Sequence, residues 1–334
     1  MRFIFSFIFL LWGFINTVCG QDVKELQETA RAFMRQGDFS NAIIVLNRAY
    51  GLNPNNTLIA QDLALAYYYQ HDLDRAEKLM KPLVDKGDTG DQGYQILANI
   101  LLSRNNQKEA EKIYKKGLKK YPQSGPLYND YGELLWQRQD YSAISMWEKG
   151  ILEDPNFAPN YYNASKYYYF STNKVWGLLY GEIFLNIDPQ SKNAPEVKEL
   201  ILNGYKKLFT ETDLDKVSTN NKFEKAFLAT MAKQSSPVSL GISPDVLTMV
   251  RTRFLLDWEN DDNKLKTFPF HLFEVQKQFL KEGLFEAYNQ WLFGSTYNLA
   301  GFQTWVELHK DEYDTFLKKM RTGVFKMPVG QYYK

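Results

Sequence analysis

The sequence has few of the residues that most enzymes use at a reactive site. Its 334 residues include one cysteine, Cys19, and three histidines, His71, His271 and His309. No histidine has a second one at the spacing of a zinc site, and the chain contains no glycine-rich phosphate loop and no nucleophile motif. We therefore expect no catalytic residue, no metal site and no cofactor, and we predict that the protein is not an enzyme.

A charge excess of either sign is also missing. Lysine and arginine together number 40 against 39 acidic residues, which makes the formal net charge +1. Domains that bind nucleic acid carry a clear basic excess, so the balance argues against a nucleic-acid partner. Hydrophobic residues make up 44% of the chain, a share that is typical of a globular protein and too high for a disordered one.

The first twenty residues predict a secretory signal peptide. One basic residue, Arg2, precedes an apolar run over 3–15, and small residues then lead to Gly20. The run is shorter than the roughly 20 residues that span a bilayer, so we expect cleavage after Gly20 and no transmembrane segment in the mature chain. This predicts a periplasmic or outer-membrane-associated location, with secretion as the alternative. The residues just before Cys19 differ from those of a lipoprotein signal, which argues against lipidation.

A repeat of about 34 residues runs through the first half of the chain. Small residues recur at two positions of each copy, and a proline follows the second position. The aligned columns are Ala30, Ala64, Ala98 and Gly132; Ala42, Ala76, Ala110 and Ala143; and Pro122, Pro155 and Pro189. Small side chains let two antiparallel helices approach closely, and proline ends a helix because it lacks a backbone N–H.

This small–large–small pattern with its terminal proline resembles the tetratricopeptide repeat (TPR) family. The resemblance implies stacked helix–turn–helix pairs that form an α-solenoid and bind a protein or a peptide. The repeats fall at 23–56, 57–90, 91–124 and 125–157, with a degenerate fifth at 158–191. One more helix is expected at 194–209, either as a sixth half-repeat or as a capping helix. In the fifth copy Gly177 and Gly181 stand where alanine and a large residue are expected, which predicts a loosely packed second helix.

From about residue 210 the period disappears, although helical patterns continue. Ser243 followed by Pro244 predicts the start of one helix, and Gly294 is expected to close another. We therefore predict an all-α fold, in which a TPR-type α-solenoid over 21–209 is followed by an irregular helical C-terminal domain over 210–334. We recognise no family resemblance in this second region.

The first helix of each repeat is expected to line the concave face of the solenoid, so helical phase selects the candidate groove contacts. They are Gln61, Tyr68, Gln95, Asn99, Asn129, Glu133, Trp136, Tyr162, Lys166 and Tyr169. Amides can pair with a peptide backbone, and tyrosine and tryptophan are enriched at binding hot spots. The alternative is that these side chains pack on one another or on the C-terminal helices.

Two tyrosine triplets, 67–69 and 167–169, are placed differently by the repeat register. Adjacent residues of a helix point about 100° apart, so the three tyrosines of one triplet cannot share one role. The register predicts that Tyr67 and Tyr168 are core residues and that Tyr68 and Tyr169 face the groove.

These features together predict an exported, non-enzymatic TPR adaptor that mediates protein–protein interaction in a bacterial periplasmic or outer-membrane-associated complex. Its partner would be a protein or peptide of the cell envelope. Two alternatives place the activity in 210–334: an enzyme that uses the carboxylates of that region, or a carbohydrate-binding accessory protein. For the latter, the candidates for stacking on a sugar are Trp258, Trp291 and Trp305.

Overall fold

The computed structural model describes residues 23–171, 173–211, 214 and 219–334. The predicted signal peptide lies outside these residues. Within them the chain forms helices and loops and no β-strand, which confirms the all-α fold. No helix among them is both long enough and apolar enough to cross a bilayer.

The chain divides into two compact units, which meet in sequence at Pro122 and Gln123. The first unit contains α1 (23–35), α2 (Phe39–Leu52), α3 (Thr57–Tyr69), α4 (Leu73–Lys86), α5 (Asp91–Ser103) and α6 (Gln107–Lys120). The repeat part of the second unit contains α7 (Gly125–Gln137), α8 (Ala143–Glu153), α9 (Ala158–Phe170), α10 (Lys174–Ile187) and α11 (Ala194–Thr210). The domain boundary that the sequence predicts near residue 210, between the solenoid and the C-terminal helices, stays a prediction.

The second unit continues with shorter helices after α11. They are α12 (Lys222–Ala232), a 3₁₀ turn (Ser236–Leu240), α13 (Pro244–Glu259), α14 (Asp262–Thr267), α15 (His271–Lys281), α16 (Phe285–Asn289), a π-helical turn (Gln290–Gly294), α17 (Ser295–Tyr297), α18 (Leu299–Leu308) and α19 (Lys310–Thr322). As predicted, Ser243 caps α13: its side chain accepts a hydrogen bond from the backbone N–H of Val246.

The small-residue columns lie at the helix contacts, as the repeat predicts. In both units the alanines of these columns are fully buried: Ala30, Ala42, Ala64, Ala76, Ala98, Ala110 and Ala143. Gly132 is equally confined, because a Cβ there would come within 2.3 Å of the Trp147 ring nitrogen. Close approach of the backbones at these positions is what lets each helix pair form.

A left-handed residue closes the first helix of each regular repeat. These residues are Gly37, His71, Asn105 and Gln139, with φ between 58° and 76°. At His71 the backbone N–H donates to the Tyr68 carbonyl at 3.0 Å, and the next N–H, of Asp72, donates to the Tyr67 carbonyl at 2.9 Å. These bonds satisfy carbonyls that a helix end leaves free. The turn then places the Asp72 side chain as the N-cap of α4.

The expectation of a loosely packed second helix in the fifth repeat is wrong. The described residues of α10 are buried from Val175 to Asn186. A Cβ at Gly177 would lie 3.2 Å from the Tyr169 backbone nitrogen of α9, and one at Gly181 would lie 2.6 Å from an Ile201 methyl group of α11. The two glycines therefore allow α10 to pack closely on both of its neighbours, rather than leaving gaps.

An aromatic cluster centred on Phe223 of α12 forms one core of the C-terminal helices. Phe223 is 1% exposed. Its ring centroid lies 5.5 Å from that of Trp176 on α10 and 5.8 Å from that of Trp258 on α13. It also packs against Phe270 at 5.2 Å. The cluster joins the last repeat to the C-terminal helices through apolar contact.

A buried polar network provides a second junction between these elements. The Glu182 carboxylate on α10 forms an ion pair with Arg251 on α13, and both side chains are at most 4% exposed. The same carboxylate accepts hydrogen bonds from Gln276 on α15 at 2.6 Å and from the Tyr288 hydroxyl on α16 at 2.7 Å. Arg251 also donates to Asn289. Although burial opposes the charge, the adjacent carboxylate keeps the pKa of Arg251 raised.

The predicted end of a helix at Gly294 is wrong. The chain passes from α16 through the π-helical turn into α17, and the break comes later, at Asn298. Gly294 is required there for space, because a Cβ would come within 2.5 Å of the Phe302 ring. A turn of π-helix widens the backbone and is often found at functional sites.

Lys198 on α11 covers this π-helical turn and is expected to make stability depend on pH. Its ammonium donates to the Trp291 carbonyl at 2.6 Å and lies over the indole ring, 4.4 Å from its centroid. Burial nevertheless lowers the pKa of Lys198 to about 8. Between about pH 8 and 10, Lys198 has lost its proton in the folded state, whereas the unfolded lysine, with a pKa of about 10.4, still binds one. The free energy of unfolding should therefore rise with pH over that range.

We expect Lys198→Met to abolish this rise. Between about pH 7 and pH 9.5 the free energy of unfolding of the wild type should increase by roughly 1–2 kcal/mol more than that of the variant. Urea unfolding followed by tryptophan fluorescence at the two pH values measures the difference. The exposed Lys192, replaced in the same way, is the matched control. Equal pH slopes for wild type and Lys198→Met would refute the assignment.

The C-terminal tail, 323–334, is irregular, yet it is held in place at several points. Asn156 donates to the Met327 carbonyl at 3.1 Å and accepts from the Met327 N–H at 2.9 Å. The Tyr333 ring stacks on Phe223, with centroids 5.0 Å apart. The tail is therefore anchored to the second unit at Met327 and Tyr333, and of its residues only Met327 is buried.

Candidate functional site

First helices of neighbouring repeats contact one another within each unit, namely α3 with α5 and α7 with α9. This is the arrangement that lines up the predicted groove columns. The first unit carries Gln61, Tyr68, Gln95 and Asn99, and the second carries Asn129, Glu133, Trp136, Tyr162, Lys166 and Tyr169. The role of these residues as partner contacts stays a prediction.

In the first unit the four predicted residues are buried or half-buried. Gln61 is 4% exposed, so only a small part of it can reach a partner. Asn99 is half-buried and accepts a hydrogen bond from the Tyr114 hydroxyl at 3.2 Å. Gln95 is half-buried. Tyr68 is also half-buried, and its ring meets that of Tyr69 edge-on at 5.4 Å.

In the second unit α7 presents an exposed carboxylate held by two amides. Asn129 is 6% exposed and donates to Glu133 at 3.0 Å. Asn163 of α9 donates to the same carboxylate at 3.2 Å and to the Asn129 oxygen at 2.9 Å. Glu133 itself is exposed. The buried Asn129 therefore acts by positioning Glu133, which a partner can reach.

One turn further along α9, a lysine and a tyrosine share a second carboxylate. Lys166 lies 2.8 Å from Glu196 of α11, and the Tyr162 hydroxyl donates to the same carboxylate at 2.6 Å. Burial alone would lower the pKa of Lys166, but its bonds to Glu196 and Tyr162 outweigh burial and raise it. Lys166 therefore stays a cation throughout the physiological pH range.

Trp136 near the end of α7 combines exposure with a fixed orientation. It is 41% exposed. Its ring centroid lies 5.8 Å from that of Tyr141, 6.1 Å from that of Trp147 and 6.0 Å from that of Tyr167. Three neighbouring rings thus limit its motion while more than a third of its surface remains open.

Tyr169 lies at the end of α9 beside two lysines. The Lys207 ammonium is 4.3 Å from the centre of its ring and the Lys174 ammonium is 5.9 Å from it. The next residue, Phe170, is 72% exposed. This end of α9 is therefore positively charged and apolar at once.

Sequence reasoning missed two members of the polar set in the second unit, Asn163 and Glu196. Glu196 lies 34 residues after Tyr162, so extending the repeat column into α11 would have identified it. The structure supports that extension, because α11 contacts both α9 and α10 in the way a further first helix would. Asn163 lies outside the columns chosen from the sequence.

The adjacent residues Tyr168 and Tyr169 provide a test of the register. As predicted, Tyr168 is a core residue, 6% exposed, and its hydroxyl donates to Glu148 at 2.6 Å. We expect Tyr168→Ala to lower the free energy of unfolding by about 3 kcal/mol or more, as large-to-small core changes do. Tyr169→Ala should leave stability nearly unchanged and weaken binding. Thermal melts of both variants check this, and equal losses would show that the register is wrong.

The chemistry of this surface favours binding. Among the residues with described positions, no group of three or more histidine, cysteine or carboxylate side chains could hold a metal ion. An exposed carboxylate, an exposed indole and a fixed lysine lie along α7 and α9, and each has a partner that orients it.

Comparison with known proteins confirms the predicted type of repeat in part of the chain. A model of the tetratricopeptide repeat matches residues 33–100. The BBSome complex member BBS4 of Bos taurus is 27% identical to this chain over 130 residues, which are 39% of this chain and 24% of the bovine protein. The chain thus spans about a quarter of the length of that relative.

Several solved structures have a similar arrangement of helices. A thermophilic TPR protein of Thermus thermophilus is 13% identical and covers 55% of this chain and 98% of its own, with a TM-score of 0.45. A TPR protein of Parabacteroides merdae is 16% identical and covers 72% and 92%, with a TM-score of 0.42. PilF of Pseudomonas aeruginosa is 14% identical and covers 56% and 85%, with a TM-score of 0.48.

Proposed function

We propose that this chain is a non-enzymatic adaptor that binds a protein or peptide partner, because residues 33–100 match the tetratricopeptide repeat and proteins with this repeat typically mediate protein–protein interactions. We further propose that it is exported and works in a bacterial periplasmic or outer-membrane-associated complex. The proposal of export rests on the sequence of the first twenty residues, in which Arg2 precedes the apolar run and small residues after the run lead to Gly20.

The binding proposal rests on the exposure and fixed orientation of Trp136. Tryptophan is enriched among the residues that dominate interface energies, and it contributes most when it is fixed before the partner arrives. Trp136 is 41% exposed and is surrounded by Tyr141, Trp147 and Tyr167. A partner that covers it would gain apolar contact while losing little side-chain freedom.

The charges beside Trp136 indicate what kind of partner fits. Glu133 lies one turn before Trp136 on α7, and Lys166 lies on the neighbouring α9. Both side chains have hydrogen-bonding partners that orient them. A segment with a basic and an acidic residue on either side of an apolar one would complement all three groups. Complementary charges of this kind contribute mainly to specificity and to the rate of association.

The test is affinity purification of the full mature chain from the envelope fraction of its source cells. Wild-type protein should retain a stoichiometric partner. Trp136→Ala should retain at least 10-fold less of that partner, since hot-spot truncations cost about 2 kcal/mol or more of binding free energy. The control is Leu152→Ala on α8, which removes a side chain of similar exposure, 42%, from a second helix. Equal retention by Trp136→Ala and wild type would refute the assigned surface.

Localisation needs a separate measurement. N-terminal sequencing of the protein from fractionated cells should give a chain that starts at Gln21 and is found in the periplasmic or outer-membrane fraction. A chain that keeps Met1 or that stays in the cytoplasm would contradict export while leaving the binding proposal intact.

A further inference from the structure

A small cavity lies in the second unit between the start of α13 and the helices α17 and α18, away from the repeat helices that carry the proposed binding surface. Its volume is about 180 Å³. Pockets for drug-sized ligands hold roughly 300–1,000 Å³, so this cavity has room for about one small ring. Its wall combines aromatic and polar side chains, among them Asp245, Gln290, Tyr297, Asn298, Phe302 and Trp305.

The aromatic side of the cavity is accessible and its tryptophan is held in place. Tyr297 is 49% exposed, and none of the residues of α18, which carries Phe302 and Trp305, is buried. His309 stacks on one face of the Trp305 indole, with centroids 4.4 Å apart. The indole N–H donates to Glu286 at 2.9 Å. A ligand in the cavity would therefore meet a fixed indole at its remaining face or edge.

The polar side of the cavity offers both donors and acceptors. Gln290 is 5% exposed, and its amide donates to the Asp245 carboxylate at 3.1 Å. The Asn298 side-chain oxygen accepts from the Gly301 N–H at 3.1 Å, which orients the amide and leaves its NH₂ group as the donor. The π-helical turn is the element that brings Gln290 to this wall.

The charges around the cavity narrow the choice of ligand. None of the residues that line it is basic, and Asp245 contributes a carboxylate. An anion would be repelled, because no cation is present to offset that charge. A cation would need only hydrogen-bond acceptors, whereas the wall of this cavity also carries donors. A hydroxyl group both donates and accepts, so a neutral ligand with several hydroxyl groups matches the mixed wall.

We propose that this cavity binds one pyranose residue of a carbohydrate. The C–H face of the sugar packs against the Trp305 ring, and its hydroxyl groups exchange hydrogen bonds with Asp245, Gln290 and Asn298. Of the three tryptophans that the sequence suggested for sugar binding, Trp258 and Trp291 are buried, at 1% and 9% exposed. Only Trp305 lines the cavity. The site is independent of the surface around Trp136.

The test titrates the full chain with methyl pyranosides of glucose, galactose, mannose and N-acetylglucosamine, observed by saturation-transfer NMR and by tryptophan fluorescence. At least one should bind with a Kd on the order of 1 mM, since a single ring makes few contacts. Trp305→Ala should weaken that binding at least 10-fold. Trp136→Ala is the matched control and should bind the sugar as the wild type does.

A second variant separates loss of binding from loss of folding. Gly301 lines the cavity, and a Cβ there would lie 3.1 Å from the Asn298 amide nitrogen, the end of a flexible side chain. Gly301→Ala should therefore reduce the space for the ring, while the higher helix propensity of alanine keeps or raises the Tm. We expect weaker sugar binding at unchanged or higher stability.

Three results would overturn the proposal. The first is that no pyranoside shows saturation transfer. The second is that binding persists at full strength in both Trp305→Ala and Gly301→Ala. The third is that N-trimethyl-lysine binds while the sugars do not, which would make this a site for a cation. None of them bears on whether Trp136 binds a protein partner.

Discussion

Arg251→Met is expected to lower the free energy of unfolding of the second unit by about 3–5 kcal/mol. The substitution leaves the Glu182 carboxylate buried without its counter-ion, with Gln276 and Tyr288 as its remaining side-chain donors. Removing one member of a buried ion pair costs more than the pair contributes, because the remaining charge stays out of water. Methionine matches the length of the arginine stem, so the lost volume is small.

Chemical denaturation followed by tryptophan fluorescence measures this effect in the second unit alone. After removal of the predicted signal peptide, which contains Trp12, the remaining tryptophans all lie beyond residue 122. The matched control is Arg253→Met, two residues further along α13, because Arg253 is exposed. Its expected change is within about 0.5 kcal/mol.

A second substitution should reverse part of the loss. Glu182→Gln in the Arg251→Met background removes the unpaired charge and should restore about 1–3 kcal/mol. If Arg251→Met unfolds at the wild-type denaturant midpoint, the network does not stabilise the fold.

Phe223→Ala is expected to lower the free energy of unfolding by about 3–5 kcal/mol, at the upper end for a large-to-small core change. Phe223 is surrounded by rings of α10, α13, α15, the loop between α14 and α15, and the tail, including Trp176, Trp258 and Tyr333. Alanine would leave a cavity that these rigid rings cannot close. The variant should also change the emission of the two tryptophans in the native state.

The control for this prediction is Phe170→Ala. Phe170 is 72% exposed and should contribute less than about 0.5 kcal/mol. A stability loss for Phe223→Ala no larger than that of Phe170→Ala would show that the aromatic cluster does not hold the last repeat to the C-terminal helices.

Local patterns were enough to predict much of the repeat region. The alanine columns, the core tyrosines Tyr67 and Tyr168 and the N-cap at Ser243 follow from the spacing of residues along one or two helices. Such features depend on neighbours within about 34 residues, so periodicity reveals them. The same reasoning selected Trp136 and Glu133, which the structure shows to be exposed on α7.

Packing in the fifth repeat could not be predicted from a residue type alone. Gly177 and Gly181 break the family pattern, which suggested a loose helix. Their effect depends on what lies opposite, and the structure places the α9 backbone and an Ile201 methyl group there. A missing side chain leaves a gap against a distant neighbour and allows close contact with a near one.

By itself, the amino-acid sequence determined the all-α class, the 34-residue repeat, the helix pairs and the side chains that their first helices carry. Each of these features follows from a periodic pattern that is visible within a short stretch of sequence. Only the tertiary structure showed the contacts between distant segments. It paired Glu182 with Arg251, 69 residues later, and brought Asp245 and Trp305 to one cavity. No periodic pattern links such residues, because they meet only where the C-terminal helices fold back on one another and on the last repeat.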